Sequence, residues 1–325
     1  EASERFARTA NIDPVGVSRQ HVHWLEQAAV CAQQGGDPSA AVVHWLAAAS
    51  LAGQVSDASQ ELPLLVSCAR VLGELRRNDE AESTAEIACQ RAQETGRPNL
   101  AAAAAMILAD LCMDQAELER AGVCLDRAED LLDATPLHRH HARLARRRAE
   151  LAVAQDADDA EEVVQHALAL AKRTELNRDR CRVLALQAIC DARAGREARI
   201  APTLESAMEP LREQGSSAAL AEVRLSAARA WLAVDKPELA QAAAARSLVW
   251  AEESGRVALR LQAEALCDRA RAMLERGPSG AIDRTIDRLL DVSIALASER
   301  DLDILLARIN GAALELLAGD RAFVL

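Results

Sequence analysis

Apolar residues in this chain fall on helical stripes, and the stripes themselves repeat. Seven segments, Ser39 to Ala52, Asp79 to Gln93, Glu119 to Asp133, Asp158 to Lys172, Ala198 to Leu211, Glu238 to Ala251 and Ser279 to Ser293, read as the second helix of a helical pair. Each opens with a small or aliphatic residue, with a second apolar residue four positions on and a third about three further. The triads are Ala41-Trp45-Ala48, Ala81-Ala85-Ala88, Ala121-Leu125-Ala128, Ala160-Val164-Ala167, Ile200-Leu204-Ala207 and Ala240-Ala244-Ser247. That spacing places all three residues on one helical face. Their first members stand at 41, 81, 121, 160, 200, 240 and, less clearly, 281, a period of about 40 residues. A register held that long marks a structural repeat.

Between these segments lie the first helices: Val22 to Gln33, Leu62 to Arg76, Leu100 to Met113, Ala142 to Ala154, Arg180 to Ala194, Ala219 to Val234 and Val257 to Glu275. Ala29, Ala69, Ala109, Ala149, Ala188 and Ala228 recur near their middles, where a small side chain lets a neighbouring backbone approach. Turn chemistry separates the pairs. Gly35-Gly36-Asp37-Pro38, Arg77-Asn78-Asp79, Asp156-Ala157-Asp158, Ala194-Gly195-Arg196, Asp235-Lys236-Pro237 and Gly277-Pro278-Ser279-Gly280 divide first from second helices. Thr95-Gly96-Arg97-Pro98, Thr135-Pro136, Gln214-Gly215-Ser216 and Ser254-Gly255 divide one repeat from the next. The expected fold is all-α, a right-handed α-solenoid of about seven antiparallel helix pairs.

This pattern resembles tetratricopeptide repeats over about residues 19–298. The alanine-to-large-residue element stands at Ala41 to Trp45 and Ala121 to Leu125, while the tyrosine of the repeat is absent and its closing proline mostly so. The longer period is similar to the extended repeats of bacterial signalling proteins. Gly35 to Ala41 followed by Trp45 to Ala49 resembles the segment that opens the superhelix behind large regulatory ATPases. Gly319 into Phe323-Val324-Leu325 resembles the opening of a GAF sensory domain. The expected organisation is a lead-in at 1–18, the solenoid at 19–298, and a capping helix or the start of a GAF-like domain at 299–325. The missing initiator Met reads as an excised region of a larger protein.

Composition sharpens the fold. Half of the 325 residues are apolar, yet only 2% are aromatic, Tyr is absent and roughly one in five is Ala. Strands draw on the residues that are scarce here, and helices on those that abound. A net charge of -12 argues against nucleic acid as partner, because counterion release needs clustered cations. No apolar run is long enough for a membrane helix and no signal-peptide pattern opens the chain, so the expected location is the cytoplasm. Cys31, Cys68, Cys89, Cys112, Cys124, Cys181, Cys190 and Cys267 form no C-x-x-C pair and read as reduced, buried, small apolar residues.

Chemistry is sparse. No phosphate loop, dinucleotide fingerprint, zinc-protease motif or nucleophile elbow is present, so no enzymatic activity and no cofactor are expected. His138-Arg139-His140-His141 reads as a solvated turn rather than a metal site, and His21 and His23 point apart on a helix. Arg139, Arg143, Arg146, Arg147 and Arg148, with Arg180 and Arg182, form a basic run. It reads chiefly as a salt-bridged face, with Arg143, Arg146 and Arg182 as the candidate pocket for an acidic or phosphorylated peptide. Trp45 and Trp231 fall at buried repeat positions, whereas Trp24 and Trp250 lie beside or off the stripe as candidates for exposed contact.

Resemblance to the repeat family places the concave-face residues on the first helices: His23, Glu26, Arg70, Asp110, Met113, Arg143, Arg146, Glu150, Arg182, Glu222 and Arg229. It implies a non-enzymatic scaffold that binds a peptide or domain there and couples neighbouring modules of a bacterial signalling protein. Two other readings share the same stack of helices: a superhelix that senses a small effector, and an accessory subunit that gates an enzyme such as a protease.

Overall fold

A computed structural model describes residues 19–54, 58–133, 135–136 and 139–275. Thirteen helices follow one another through them. They are α1 (Arg19–Gln34), α2 (Pro38–Gln54), α3 (Ala58–Glu74), α4 (Asn78–Glu94), α5 (Pro98–Asp114), α6 (Leu118–Leu132) and α7 (Arg139–Ala154). Then come α8 (Ala160–Arg173), α9 (Asn177–Arg193), α10 (Glu197–Glu213), α11 (Ser217–Ala233), α12 (Pro237–Glu253) and α13 (Val257–Glu275). Each helix packs on its sequence neighbours, and first helices also pack on the first helix of the next pair, as α3 does on α5 and α9 on α11. The fold is an α-solenoid of paired helices. Two compact units divide at Cys267, and the first is the one described below. The second helix of the seventh pair and the stretch 299–325 lie outside the described residues.

The seam between helices is made where the triads predict it. All eighteen triad residues are buried, with Trp45 3% exposed and Ala160 6% the least covered. The six mid-helix alanines from Ala29 to Ala228 are each 0% exposed. A Cβ of that size lets helix axes approach, and a Leu in its place would force them apart. Ser247, the one polar triad member, keeps its place by donating its hydroxyl to the Ala221 carbonyl at 2.9 Å.

A shared turn joins the helices at about half the repeat period. The amide three residues past the helix end reaches back five positions, as in Asp37 to Ala32, Arg97 to Ala92, Arg196 to Asp191 and Arg256 to Ala251. This closure needs one residue with positive φ just after the helix. Gly36, Gly96, Gly195, Gly215 and Gly255 supply it, but so do Arg76, Ala116, Asp156, Glu175 and Asp235, with φ between 55° and 62°. The non-glycine turns carry a steric cost of about 1–2 kcal/mol each.

Three expectations need correction. Of the four residues read as a turn at 138–141, the three described ones, Arg139, His140 and His141, lie in the first turn of α7. Trp24 is half-buried, edge-on to His21 with ring centres 5.4 Å apart. Trp250 is also half-buried, with the Arg256 guanidinium 5.7 Å from its ring centre. Both rings find partners within the chain, Trp24 three residues back on its own helix and Trp250 in the turn that follows its helix.

A candidate binding groove

The first helices are buried on most sides, and the polar residues they carry are confined to one strip. On α5 the only residues of the last two turns left partly open are Asp110, Met113 and Asp114. The same strip on α9 and α11 presents Arg182 and Glu222. Stacked first helices bring these strips side by side, and the result is a ladder of alternating charge.

Its centre runs across four helices and one turn. Arg146 on α7 pairs with Glu150 one turn on and reaches Asp179 on α9 at 3.0 Å. Asp179 also faces Arg182 at 3.9 Å, and Arg182 pairs with Glu222 on α11. Glu222 accepts from Arg256 at 2.9 Å, and Arg256 also donates to Glu74 at the end of α3, 3.2 Å away. Glu74 lies 3.6 Å from Arg70. A second branch joins Arg147 bidentately to Asp110, at 2.8 and 2.7 Å. Gln262 on α13 donates to Asp114 at 3.0 Å while its carbonyl accepts from Arg229 at 3.3 Å.

Arg146 is 7% exposed, so its charge stands only because four carboxylates nearby, Glu150, Asp179, Asp110 and Glu222, outweigh the desolvation. Glu222 follows the same logic. Burial pushes its carboxyl up, but Arg182, Arg256 and, further off, Arg146 overcome that and hold it at about 2. Asp114 goes the other way: burial raises it, Asp110 adds to the rise, and Arg76 and Arg229 offset only part.

Two arginines on this strip stand apart. Among the described residues, neither Arg143 nor Arg229 has a carboxylate within ion-pair distance. For both, burial lowers the guanidinium pKa; Asp179 opposes it at Arg143, and Glu150 and Asp114 at Arg229, without cancelling it. Both side chains are solvent-exposed. The Nε–H groups of Arg182 and Arg256, shielded from solvent, have no acceptor among the described residues.

Set against the sequence-derived strip, Arg70, Arg146, Glu150, Arg182 and Glu222 are joined in one chain of ion pairs, while Asp110 pairs with Arg147 and Arg229 donates to Gln262 beside it. Arg143 borders that chain of ion pairs. His23 and Glu26 meet only each other, at 3.7 Å, and Met113 rests against the apolar cluster of α5 and α6. The chief reading of the basic run, a salt-bridged face, holds for two of the three candidate pocket arginines. Arg146 and Arg182 are neutralised by this chain's own carboxylates, which follow them at helical and repeat spacing, and only Arg143 remains open. Sequence reasoning missed Glu74, Asp114, Asp179, Arg256 and Gln262. Asp114 and Gln262 were in reach, since Glu74 and Glu222 each step 40 residues onto them; Arg256 sits in a turn and had no such signal.

Every cysteine but Cys31 and Cys124 is buried. Burial raises the thiols of Cys68 and Cys124 to about 11. Such thiols are poor nucleophiles and poor metal ligands at neutral pH. Among the described residues no cluster of His, Cys, Asp and Glu is arranged to hold a metal ion, and no helix is long and apolar enough to cross a membrane.

No protein-family model matches the chain, and no curated protein does. Among solved structures it is similar to the crystal structure of Rap protein complexed with competence and sporulation factor. The TM-score is 0.58 at 10% sequence identity, covering 84% of this chain and 81% of that one. The likeness is one of fold, a TPR-type helical repeat.

Proposed function

We propose that this chain is a non-enzymatic interaction scaffold whose charged inner strip takes a protein or peptide segment bearing carboxylate or phosphate groups. The observation that carries the reading is the contrast within the strip. Arg146, Arg182 and Arg256 are each matched by carboxylates, while Arg143 and Arg229 stand exposed on the same strip with no carboxylate within ion-pair distance among the described residues. A guanidinium that is open to solvent and unpaired is available to an incoming anion without first breaking an ion pair of the fold. Guanidinium forks bind carboxylate and phosphate bidentately. The likeness in fold to Rap protein, solved with competence and sporulation factor bound, supports a regulatory binding role over catalysis. On this reading the scaffold couples modules of a cytoplasmic bacterial signalling protein.

The test is a panel of fluorescent peptides matched in length and differing in charge: acidic, phosphoserine-containing, neutral and basic. Anisotropy should rise with the acidic or phosphorylated members alone, and Arg143→Gln with Arg229→Gln should abolish the rise. Equal binding of neutral and acidic peptides would sink the assignment.

A further inference from the structure

Three contacts join parts of the chain that a nearest-neighbour stack leaves apart. Arg256, in the turn before α13, reaches Glu74 on α3, 182 positions earlier. Gln262 on α13 reaches Asp114 on α5, 148 positions earlier. The turn at Gly255 rests against the turn at Gly36. The fit between those turns is close: a methyl carbon added at Gly255 would lie 2.9 Å from the Gly36 carbonyl oxygen and 3.0 Å from Pro38 Cδ. One added at Gly36 would lie 2.8 Å from the Glu253 carbonyl oxygen. In a repeat stack each unit touches only its neighbours. Here the first, second and third pairs meet the turn before α13 and α13 itself, all within the unit that ends at Cys267.

We propose that these contacts form a clasp that closes the solenoid into a ring around its charged strip, and that the clasp opens as one unit. The chemistry of the bridging groups allows opening at low cost. When Arg256 leaves Glu74 it keeps Glu222 and the face of Trp250, and Glu74 keeps Arg70. When Gln262 leaves Asp114 it keeps Arg229. Arg256 and Glu74 each keep an ion-pair partner, so the usual penalty for stranding one half of a desolvated pair is avoided there, while Asp114 gives up only a hydrogen bond from a neutral amide. The two glycine turns meet backbone to backbone, a contact that a single Cβ disrupts. Such an arrangement has two discrete states rather than a continuum. That opening admits a ligand rests on the scaffold reading above; the existence of the clasp does not.

Glycine supplies a matched test. Gly255 and Gly96 both have φ of +66°, at equivalent turns between repeats, but a Cβ at Gly96 meets nothing within 4 Å. Gly255→Ala and Gly96→Ala therefore share the backbone strain and differ in the clasp. Small-angle scattering of the full chain, without ligand, should give a larger radius of gyration for Gly255→Ala than for Gly96→Ala, at equal helical ellipticity. Its Tm should be lower than that of Gly96→Ala by at least about 2 °C. Glu74→Ala, which leaves the backbone alone, should expand the chain to the same extent. The double variant should expand no further than either single one, as a cooperative unit requires. Equal radii for the two glycine variants, or a Glu74→Ala chain as small as the parent, overturns the clasp. Additive expansion in the double variant overturns its opening as a unit. Expansion seen only as protein concentration rises would be association between copies, and that too overturns it. Since no ligand is present, these outcomes leave the peptide test untouched, and failure of that test leaves these.

Discussion

The two helices of each pair are buried in different ways. On α6 the covered residues are Ala121, Leu125, Ala128 and Leu132, one stripe at helical spacing with solvent on the far side. On α5 the covered residues run almost without a break from Ala101 to Cys112, interrupted at Ala103 and Asp110. A second helix touches its surroundings along one face, whereas a first helix is flanked by its partner and by the first helices before and after it. Stability is therefore concentrated in seams shared by all helices, and the charged strip is confined to the one open side of the first helices. A polar residue on a second helix says little, because most of that helix is wet; a polar residue on a first helix is conspicuous.

The seam should respond most strongly to substitution. Leu125→Ala, at a site 0% exposed, should cost about 2–5 kcal/mol, read from urea or thermal unfolding. Two residues away Val123 is 67% exposed, and Val123→Ala should change stability by less than about 0.5 kcal/mol. Similar costs at both positions would erase the distinction between the faces.

Charges in the strip come next, and their sign depends on their neighbours. Glu222 has its pKa depressed by Arg182 and Arg256, so its contribution is complete above the unfolded carboxyl value of about 4.5. It is lost as pH falls toward its folded value of about 2. Glu222→Gln should cost on the order of 2–3 kcal/mol at pH 7, since it leaves two buried guanidinium groups under-compensated. The gap to the parent protein should shrink below pH 4.5 and close near pH 2. Asp114 has its pKa raised by burial, so its ionisation disfavours the fold, and the penalty is relieved as pH falls. Asp114→Asn should accordingly leave Tm at pH 7 unchanged or higher. A loss as large as that of Glu222→Gln would contradict the electrostatic ordering.

The turns give the smallest effect, and it is a gain. Ala116 holds φ at 62° on an exposed turn, so Ala116→Gly should stabilise the protein by about 1 kcal/mol, visible as a rise in Tm.

What the sequence made legible follows from the same contrast. The triads from Ala41 to Ser247 and the alanines from Ala29 to Ala228 stood out because seam positions accept only certain sizes and recur at a fixed period. Turns were legible where they held glycine, as at Gly96 and Gly215, or Asp, Asn and Pro, as at Asp156 and Asp235, and hidden at Ala116 and Glu175, where packing imposes a positive φ on a residue that does not favour it. In the strip, residue positions were readable and pairings were not. Arg146 and Arg182 stood as candidate pocket residues because Asp179 and Glu222 lie on the next pair, and which carboxylate a guanidinium meets depends on the rotation between pairs. The contacts of Glu74 and Asp114 with Arg256 and Gln262 required a closed path through the whole stack, which no local pattern encodes.

The central claim is that the seams hold the fold while Arg143 and Arg229 are reserved for a bound anion. The most direct test measures Tm and acidic-peptide affinity side by side for the chain carrying Arg143→Gln and Arg229→Gln. The account predicts a Tm close to that of the parent, since both side chains are exposed and neither is held by an ion pair of the fold, together with loss of binding. A lowered Tm with binding intact would show that these arginines serve the fold, and would contradict the account.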